Sequence, residues 1–274
     1  FSLDLLFLQA MTNIFHKIFP PLFVSFFLLL MIPHTDSLYF KIPRFDPKSQ
    51  DDIILQGDAV TSTGGVIELI NKVNYLCRVG WATYPGRVPL WDSTTAADFA
   101  TNFSFTIDTL NRTTYGHGIT FFLAPAGFQI PPNSAGGFLG LFNTTTADHS
   151  PSNQIVHVEF DIFPNPEWDP PVEHVGINVN SIASEVYAPW SAGVHSLDNV
   201  LVSISYDSKA KNLSVKWSYE KSSSYKESVT SLSYKVDLVK VLPQWVTIGF
   251  SATTGQYGAR HILNSWEFNS TLDA

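Results

Sequence analysis

The chain is poor in charged residues and in cysteine. Charged side chains make up 15% of its 274 residues, and 16 Lys and Arg stand against 24 Asp and Glu, which gives a formal charge of −8. No basic run could follow a phosphate backbone, so nucleic acid is excluded as an expected partner. The single cysteine, Cys77, cannot close an internal disulfide, and no Cys-X-X-Cys pair exists for zinc or thiol chemistry. The surrounding sequence predicts that Cys77 is a small apolar residue in a strand.

Apolar residues are abundant, and their first long stretch lies near the amino terminus. Residues 18–32 follow Met11 and Lys17 and end before a polar segment, which is the layout of a secretory signal peptide. The stretch is too short and too interrupted by proline for a membrane span. We expect residues 1–37 to comprise upstream sequence and a signal peptide that starts at Met11. The alternative is a signal anchor that is never cleaved.

Potential glycosylation sites support export from the cell. Five Asn-X-Ser/Thr sequons occur in the remaining chain, at Asn102, Asn111, Asn143, Asn212 and Asn269. No second apolar span follows the first, so we expect a secreted glycoprotein without a membrane span in its mature form.

Apolar and polar residues alternate at the period of a β-strand along much of the chain. Residues 103–107, 200–206 and 213–219 show this alternation, and the polar stretch 207–212 predicts a hairpin between the last two. After residue 38, no segment of helix length carries an apolar stripe with a period of 3.6 residues. We therefore predict an all-β fold, an antiparallel sandwich formed as one domain by residues 38–274.

The densest group of chemically active residues begins at Glu159. Glu159 and Asp161 are two residues apart, so in a strand both carboxylates leave the same face and repel unless a divalent cation neutralises them. Further donors follow in a proline-rich loop at Asn165, Asp169 and His174. Oxygen donors suit Ca²⁺, whereas carboxylates with an imidazole suit Mn²⁺ or a similar transition ion. The alternative is a solvated acidic turn with a surface histidine.

A glycosidase could use a similar pair of carboxylates. Retaining hydrolases of similar sandwich fold carry Glu-X-Asp-X-X-Glu on one strand, but here the third acid is replaced by Pro164, which cannot transfer a proton. The Gly-X-Ser-X-Gly elbow of a serine hydrolase is also missing. We therefore expect that the protein is not an enzyme.

Four motifs follow one another along the predicted domain. They are the segments 116–125 (GHGITFFLAP), 130–143 (IPPNSAGGFLGLFN), 158–176 (VEFDIFPNPEWDPPVEHVG), and 254–257 together with 266–268 (TGQY and WEF). In this order and spacing they resemble the legume-type (L-type) plant lectins, and in particular the lectin ectodomains of plant lectin receptor-like kinases. The resemblance runs from about residue 38 to residue 272. It implies a legume-type lectin domain with a concanavalin A-like jelly-roll sandwich.

The resemblance also implies a shallow sugar site built from loops over a Ca²⁺ and a transition ion, usually Mn²⁺. The matching transition-ion ligands are Glu159, Asp161, Asp169 and His174. The matching Ca²⁺ ligands are Asp161, Asn165, Asp169 and the carbonyl group of Phe163. The matching sugar contacts are His117, Gly137, Phe163, Asn165, Gln256 and Tyr257. The ions would fix the loop before a sugar arrives, which reduces the ordering cost of binding.

His117 departs from the family pattern. Most soluble lectins have an Asp at this position, and its carboxylate accepts hydrogen bonds from two sugar hydroxyls. A neutral imidazole has one acceptor lone pair and a protonated imidazole has none. The difference implies either an altered specificity or a degraded sugar site.

The leading hypothesis is a secreted, metal-dependent lectin that binds glycans or glycoproteins without catalysis. The alternatives are the ligand-sensing ectodomain of a truncated lectin receptor-like kinase, and a storage or defence protein that has lost sugar binding. We expect an extracellular location, in the apoplast or cell wall, with the vacuole as the second choice. Family members are commonly homodimers or tetramers, although five glycans could block such packing.

Overall fold

The computed structural model describes residues 36–46, 52–70, 76–148, 150–220 and 229–272. The proposed signal peptide and the initiator Met11 lie outside these residues, so both stay predictions. The strands in the described residues are β1 (Asp36–Ile42), β2 (Ile54–Gly57), β3 (Val60–Thr61), β4 (Ile67–Glu68), β5 (Val79–Thr83), β6 (Val88–Pro89), β7 (Asp98–Asp108), β8 (Gly118–Pro125), β9 (Val156–Asp161), β10 (His174–Val179), β11 (Val186–Pro189), β12 (Asn199–Asp207), β13 (Asn212–Glu220), β14 (Thr230–Lys235), β15 (Trp245–Thr253) and β16 (Arg260–Leu272). A 3-10 turn spans Gly136–Phe138 and one turn of α-helix spans Leu238–Val241.

The strands pair in two antiparallel sheets. The first sheet has the order β14-β13-β12-β7-β16-β4-β3, with β1 also paired to β16. The second sheet has the order β11-β10-β9-β8-β15-β5-β2, with β6 also paired to β15. The predicted hairpin is confirmed, because β12 and β13 pair in register as far as Asp207 and Asn212. The prediction of an antiparallel all-β sandwich is confirmed with it.

An aromatic core fills the space between the two sheets. Phe105 of β7 packs edge-on against Phe160 of β9, with ring centroids 4.8 Å apart. Phe103 and Phe250 of β15 pack in the same way at 4.8 Å. All four rings are buried, and burial of each stabilises the fold by about 1.5–3 kcal/mol relative to an exposed ring. The alternation of residues 103–107 therefore faces the core as predicted.

A second apolar cluster covers the other face of the second sheet. Its buried members are Trp81, Phe122, Ala124, Leu141, Phe142, Ile155 and Ile182. Several of these come from the loops that follow β8 and β10 and fold back over the sheet. Strand β9 is consequently buried at every position. Side chains of β9 that point away from the aromatic core, such as Glu159, are withdrawn from water as well.

The prediction that Cys77 lies in a strand is wrong. Cys77 is exposed, has a φ of 54°, and precedes β5, which begins at Val79. Its N–H donates to the carbonyl oxygen of Gly255 at 2.9 Å. A turn held by this contact between distant parts of the chain therefore overrides the local apolar pattern.

Candidate functional site

Three neighbouring strands of the second sheet each have one terminus close to His117. Strand β8 begins at the next residue, β9 ends at Asp161, and β15 ends at Thr253. The N–H of His117 donates to the carbonyl oxygen of Thr253 at 2.9 Å, and its own carbonyl accepts from Ile162 N–H at 2.8 Å. The peptide bond between Gly116 and His117 is cis. The backbone of His117 is thus hydrogen-bonded to the last residue of β15 and to the residue that follows β9.

The loop that carries Gly137 packs against the loop that follows β9. The N–H of Gly136 donates to the carbonyl oxygen of Thr254 at 3.0 Å, which fixes the loop at the end of β15. A Cβ atom at Gly137 would collide with Oδ1 of Asn165. A larger residue at position 137 would therefore displace the Asn165 side chain, and the Gly137 backbone lies next to the Asn165 amide.

Three rings form a row beside that amide. The ring centroids of His117 and Phe163 are 4.6 Å apart, and those of Phe163 and Tyr257 are 5.4 Å apart. Tyr257 is 37% exposed and His117 only 6%, so the row runs from the surface into the protein. A Cβ atom at Gly255 would collide with Nε2 of His117. Gln256 is exposed beside Tyr257, and the sugar contacts proposed from the sequence therefore gather at one end of the second sheet.

His117 is uncharged at neutral pH. Burial lowers its pKa to about 4, although the neighbouring Asn165 side chain acts in the opposite direction. Its Nδ1 is buried and has no hydrogen-bond partner among the described residues. Its Nε2 faces Gly136 and Gly255. A neutral ring has one donor and one acceptor, so His117 has less accepting capacity than a carboxylate would have at this position.

Buried acidic residues lie next to Asn165. Glu159 and Asp161 are each 1% exposed and share one face of β9, in agreement with their two-residue spacing. His174 opens β10 opposite Asp161 and is fully buried, so the interpretation as a solvated turn with a surface histidine is wrong. The N–H of Asn165 donates to Oδ2 of Asp169 at 2.7 Å. The loop and the acidic cluster are therefore directly connected.

The acidic cluster carries more negative charge than its surroundings neutralise. Burial and the charges of Asp169 and Glu159 raise the pKa of Asp161 well above its usual range. Burial and Glu159 raise the pKa of Asp169 to about 7. Burial opposes ionisation of Glu159, but the neighbouring imidazoles of His157 and His174 outweigh it and hold its pKa below the usual range. A cation between these carboxylates would relieve the repulsion.

The donor atoms of the cluster suit divalent cations. Oδ1 of Asn165 is buried and has no hydrogen-bond partner in the described part of the chain. Unsatisfied buried oxygens are rare, and amide and carboxylate oxygens are the donors that Ca²⁺ prefers. No group of three or more His, Cys, Asp or Glu side chains within the described ranges is arranged to hold a metal ion. The residue types at this site fit Ca²⁺ and a transition ion, but the side chains do not form a closed coordination shell.

Two further residues contact the cluster and were not identified from the sequence. The Ser184 hydroxyl donates to Oε1 of Glu159 at 2.6 Å. Nε2 of His157 lies 3.7 Å from Oε2 of the same carboxylate. The two-residue spacing that places Asp161 on this face also places His157 there, so the pattern could have indicated it. Ser184 belongs to the loop after β10, and no local pattern brings it back to β9.

The five sequon asparagines occupy surface positions. Asn102, Asn111 and Asn269 are exposed, and Asn143 and Asn212 are half-buried. Nδ2 of Asn212 donates to the Ser214 hydroxyl of its own sequon at 2.7 Å. Occupancy of these sequons stays a prediction.

Comparison with known proteins identifies the domain. The family model described as the legume lectin domain matches residues 37–274. The chain belongs to the legume lectin family. This lectin domain is 51% identical over 254 residues to the L-type lectin-domain containing receptor kinase IX.1 of Arabidopsis thaliana, in an alignment that covers 90% of the chain and 38% of the kinase. It is 42% identical over 261 residues to Agglutinin-2 of Cladrastis kentukea, which covers 92% of the chain and 88% of the agglutinin.

The lectin domain also matches solved structures. Lectin UEA-II complexed with galactose superposes with a TM-score of 0.78 at 36% identity, covering 85% of this chain and 98% of that one. The predicted jelly-roll sandwich of legume lectins is therefore confirmed. The prediction of a non-catalytic protein is also confirmed for this lectin domain, because the family and its structural neighbours are carbohydrate-binding lectins.

The lectin domain spans only part of its receptor-kinase relatives. The alignments with two Arabidopsis thaliana kinases of this type each cover 38% of the kinase. Within the described residues, no helix is both long enough and apolar enough to cross a membrane.

Proposed function

We propose that this legume lectin domain is a metal-dependent glycan-binding protein whose sugar site depends on Asn165. The proposal rests on two contacts of Asn165, one with the acidic cluster and one with the loop of Gly137. Its backbone N–H is bonded to Asp169 of the acidic cluster, and its side-chain amide packs against Gly137 of the opposing loop. Asn165 therefore connects the residues suited to ions with those suited to a sugar.

The acidic cluster and its loop would hold two ions. The proposed transition-ion ligands are Glu159, Asp161, Asp169 and His174. The proposed Ca²⁺ ligands are Asp161, Asn165, Asp169 and the carbonyl group of Phe163. When bound, the ions supply positive charge that balances the buried carboxylates and stiffens the loop after β9.

The remaining residues bind the sugar directly. The Asn165 amide donates a hydrogen bond from Nδ2 to a hydroxyl, and the Gly137 N–H donates another. The ring of Phe163 packs against the apolar face of the pyranose. Tyr257 and Gln256 line the exposed side, and His117 lies at the inner end.

A glycan panel tests the function directly. The full chain, expressed through a secretory pathway, is applied to the panel with Ca²⁺ and Mn²⁺, and again in excess chelator. Galactose is included, because the related lectin UEA-II has been solved with it. We expect binding to at least one glycan that is lost in chelator and restored by the two ions. Absence of binding with both ions shown to be bound would contradict the proposal.

Secretion is part of the same proposal. The apolar stretch 18–32 and the five sequons support an extracellular glycoprotein of the apoplast or cell wall. Glycans or glycoproteins of that compartment are the proposed partners.

A second candidate function is that of a sugar-sensing ectodomain. The identities of 51% and 49% to two lectin receptor kinases favour it. The transcript downstream of the codon for residue 274 decides between the two candidates, since a span of about 20 apolar residues followed by a kinase would establish the receptor.

The specificity of the site is expected to depend on His117. Changing His117→Asp provides a second strong acceptor where the neutral imidazole has one, which is worth about 1–2 kcal/mol. We expect galactose affinity to rise about 5- to 30-fold, as measured by isothermal titration calorimetry. His117→Ala is the control and should show no gain. An unchanged affinity in the Asp variant would show that position 117 does not contact the sugar.

A further inference from the structure

We propose that His157 is a positioning residue of the transition-ion site, holding Glu159 from the side opposite His174. The inference rests on the proposed function, because it concerns the ion site of the same lectin domain. It assigns a role to a fully buried histidine that neither the sugar site nor the set of ion ligands uses.

The sheet register places His157 beside Glu159. Residues 157, 159 and 161 alternate along β9 and therefore share the face covered by the second apolar cluster. On that face His157 lies between Phe122 of β8 and Asn178 of β10, and Glu159 lies between Thr120 and Gly176. His157 thus lies two residues before Glu159 and four residues before Asp161, on the same face of β9.

The two oxygens of Glu159 have different surroundings. Oε1 lies 3.2 Å from Nε2 of His174 and accepts a hydrogen bond from the Ser184 hydroxyl at 2.6 Å. Oε2 lies 3.7 Å from Nε2 of His157, and neither Oε2 nor either ring nitrogen of His157 has a hydrogen-bond partner among the described residues. A shift of well under one ångström would bring the ring nitrogen into hydrogen-bonding range of Oε2.

The surroundings of His157 leave Glu159 as its acceptor. One side of the imidazole faces the ring of Phe142, with centroids 5.6 Å apart. The neighbouring Asn178 is turned elsewhere, because its Nδ2 donates to the carbonyl of Ile182 at 2.7 Å and its Oδ1 lies 3.2 Å from the Ser184 hydroxyl. A buried polar group normally has a partner, so we assign Oε2 of Glu159 as the acceptor for the His157 N–H.

This arrangement orients the carboxylate toward the ion. Oε1, on the His174 side, would be the oxygen that binds the ion, and a hydrogen bond to Oε2 would keep Glu159 from rotating. When a residue that hydrogen-bonds to a metal ligand is removed, the metal affinity typically falls 10- to 100-fold. His157 would therefore act on the transition ion and leave Ca²⁺, which Glu159 does not bind in this proposal, largely unaffected.

The test compares three variants of the full chain. His157→Phe removes the donor while keeping a ring in the apolar cluster, His157→Gln keeps an N–H donor, and Phe142→Leu perturbs the same packing without a polar change. Mn²⁺ and Ca²⁺ affinities are measured by separate titrations, and Tm is measured in chelator. We expect His157→Phe to weaken Mn²⁺ binding about 10- to 100-fold, with Ca²⁺ affinity within about 3-fold of the original.

The Tm of the ion-free protein separates a positioning role from a packing role, because loss of packing would lower this Tm. Nε2 of His157 and Oε2 of Glu159 are 3.7 Å apart in this structure, beyond hydrogen-bonding range, so the ion-free protein loses no formed hydrogen bond in His157→Phe. We therefore expect Tm in chelator to stay constant or rise. We expect His157→Gln to recover part of the Mn²⁺ affinity, and Phe142→Leu to lower Tm without a selective loss of Mn²⁺.

Two results would overturn the role of His157 alone: unchanged Mn²⁺ affinity in His157→Phe, or a parallel fall of Tm and of both affinities. Absence of Mn²⁺ binding by the unsubstituted chain would overturn it together with the metal dependence of the proposed function. The glycan panel would still decide sugar binding separately.

Discussion

Removal of the two proposed ions with a chelator is expected to lower the Tm of the lectin domain by about 10–20 °C at pH 7. Two ions present at about 100 times their dissociation constants stabilise the folded state by about 5 kcal/mol in total. A domain of this size changes its Tm by about 2–4 °C per kcal/mol. Without ions, Asp161 and Asp169 stay buried beside Glu159 without a balancing cation. Differential scanning calorimetry with and without chelator measures the difference.

The pH dependence of this difference provides a control. The pKa of Asp169 is raised to about 7, and the hydrogen bond to Glu159 raises the pKa of His174 despite its burial. Asp169 therefore binds a proton more tightly in the folded than in the unfolded state between about pH 4 and 7, and His174 does so only above about pH 6.5. The ion-free protein should become more stable as the pH falls through this range, while the ions are displaced by protons. A difference in Tm that stays constant from pH 7 to 5 would contradict the ion-binding role of these residues.

Asn165→Asp is expected to weaken glycan binding at least about 100-fold while both ions still bind. The substitution keeps an oxygen for Ca²⁺ but replaces the Nδ2 donor with a second acceptor. The sugar hydroxyl oxygen then loses the N–H donor from which it accepts inside the site, at a cost of about 3 kcal/mol. Titration calorimetry with a glycan taken from the panel, and separate ion titrations, measure the two affinities.

The control for the added charge is Asn133→Asp. Asn133 is exposed with a φ of 59°, a conformation that Asp also tolerates, and it lies on the loop before Gly136. We expect little change in its glycan affinity. If Asn165→Asp kept its glycan affinity, the proposed hydrogen bond would be wrong. If it lost the ions as well, its effect on the sugar would be indirect.

The strands could be predicted from the sequence where one face of the strand is buried and the other is exposed to solvent. Strand β12 alternates buried and exposed residues along most of its length, and its sequence shows the same period. The neighbours of a strand were not predictable from local patterns. Strand β7 pairs with β12 on one side and with β16 on the other, and these contacts depend on packing of the whole core rather than on any short segment.

The acidic cluster was only partly readable from the sequence. The spacing of Glu159 and Asp161 gave their common face correctly, because the two-residue period is a property of any strand. His174 was expected in a loop but opens β10, where pairing with Asp161 withdraws it from water. The approach of Gly137 to Asn165 followed only from the family resemblance, because nothing local predicts that two loops 28 residues apart in sequence will meet.

The missing Cβ atoms at Gly137 and Gly255 have a consequence for anyone redesigning this lectin. Both positions are filled by neighbouring side chains, those of Asn165 and His117, so a library that randomises them would mostly yield damaged proteins. Gln256 and Tyr257 are exposed on the rim of the same site. Insertions and substitutions there could reshape the entrance while the glycines and the sandwich stay intact, so selection for a new ligand should begin at the rim.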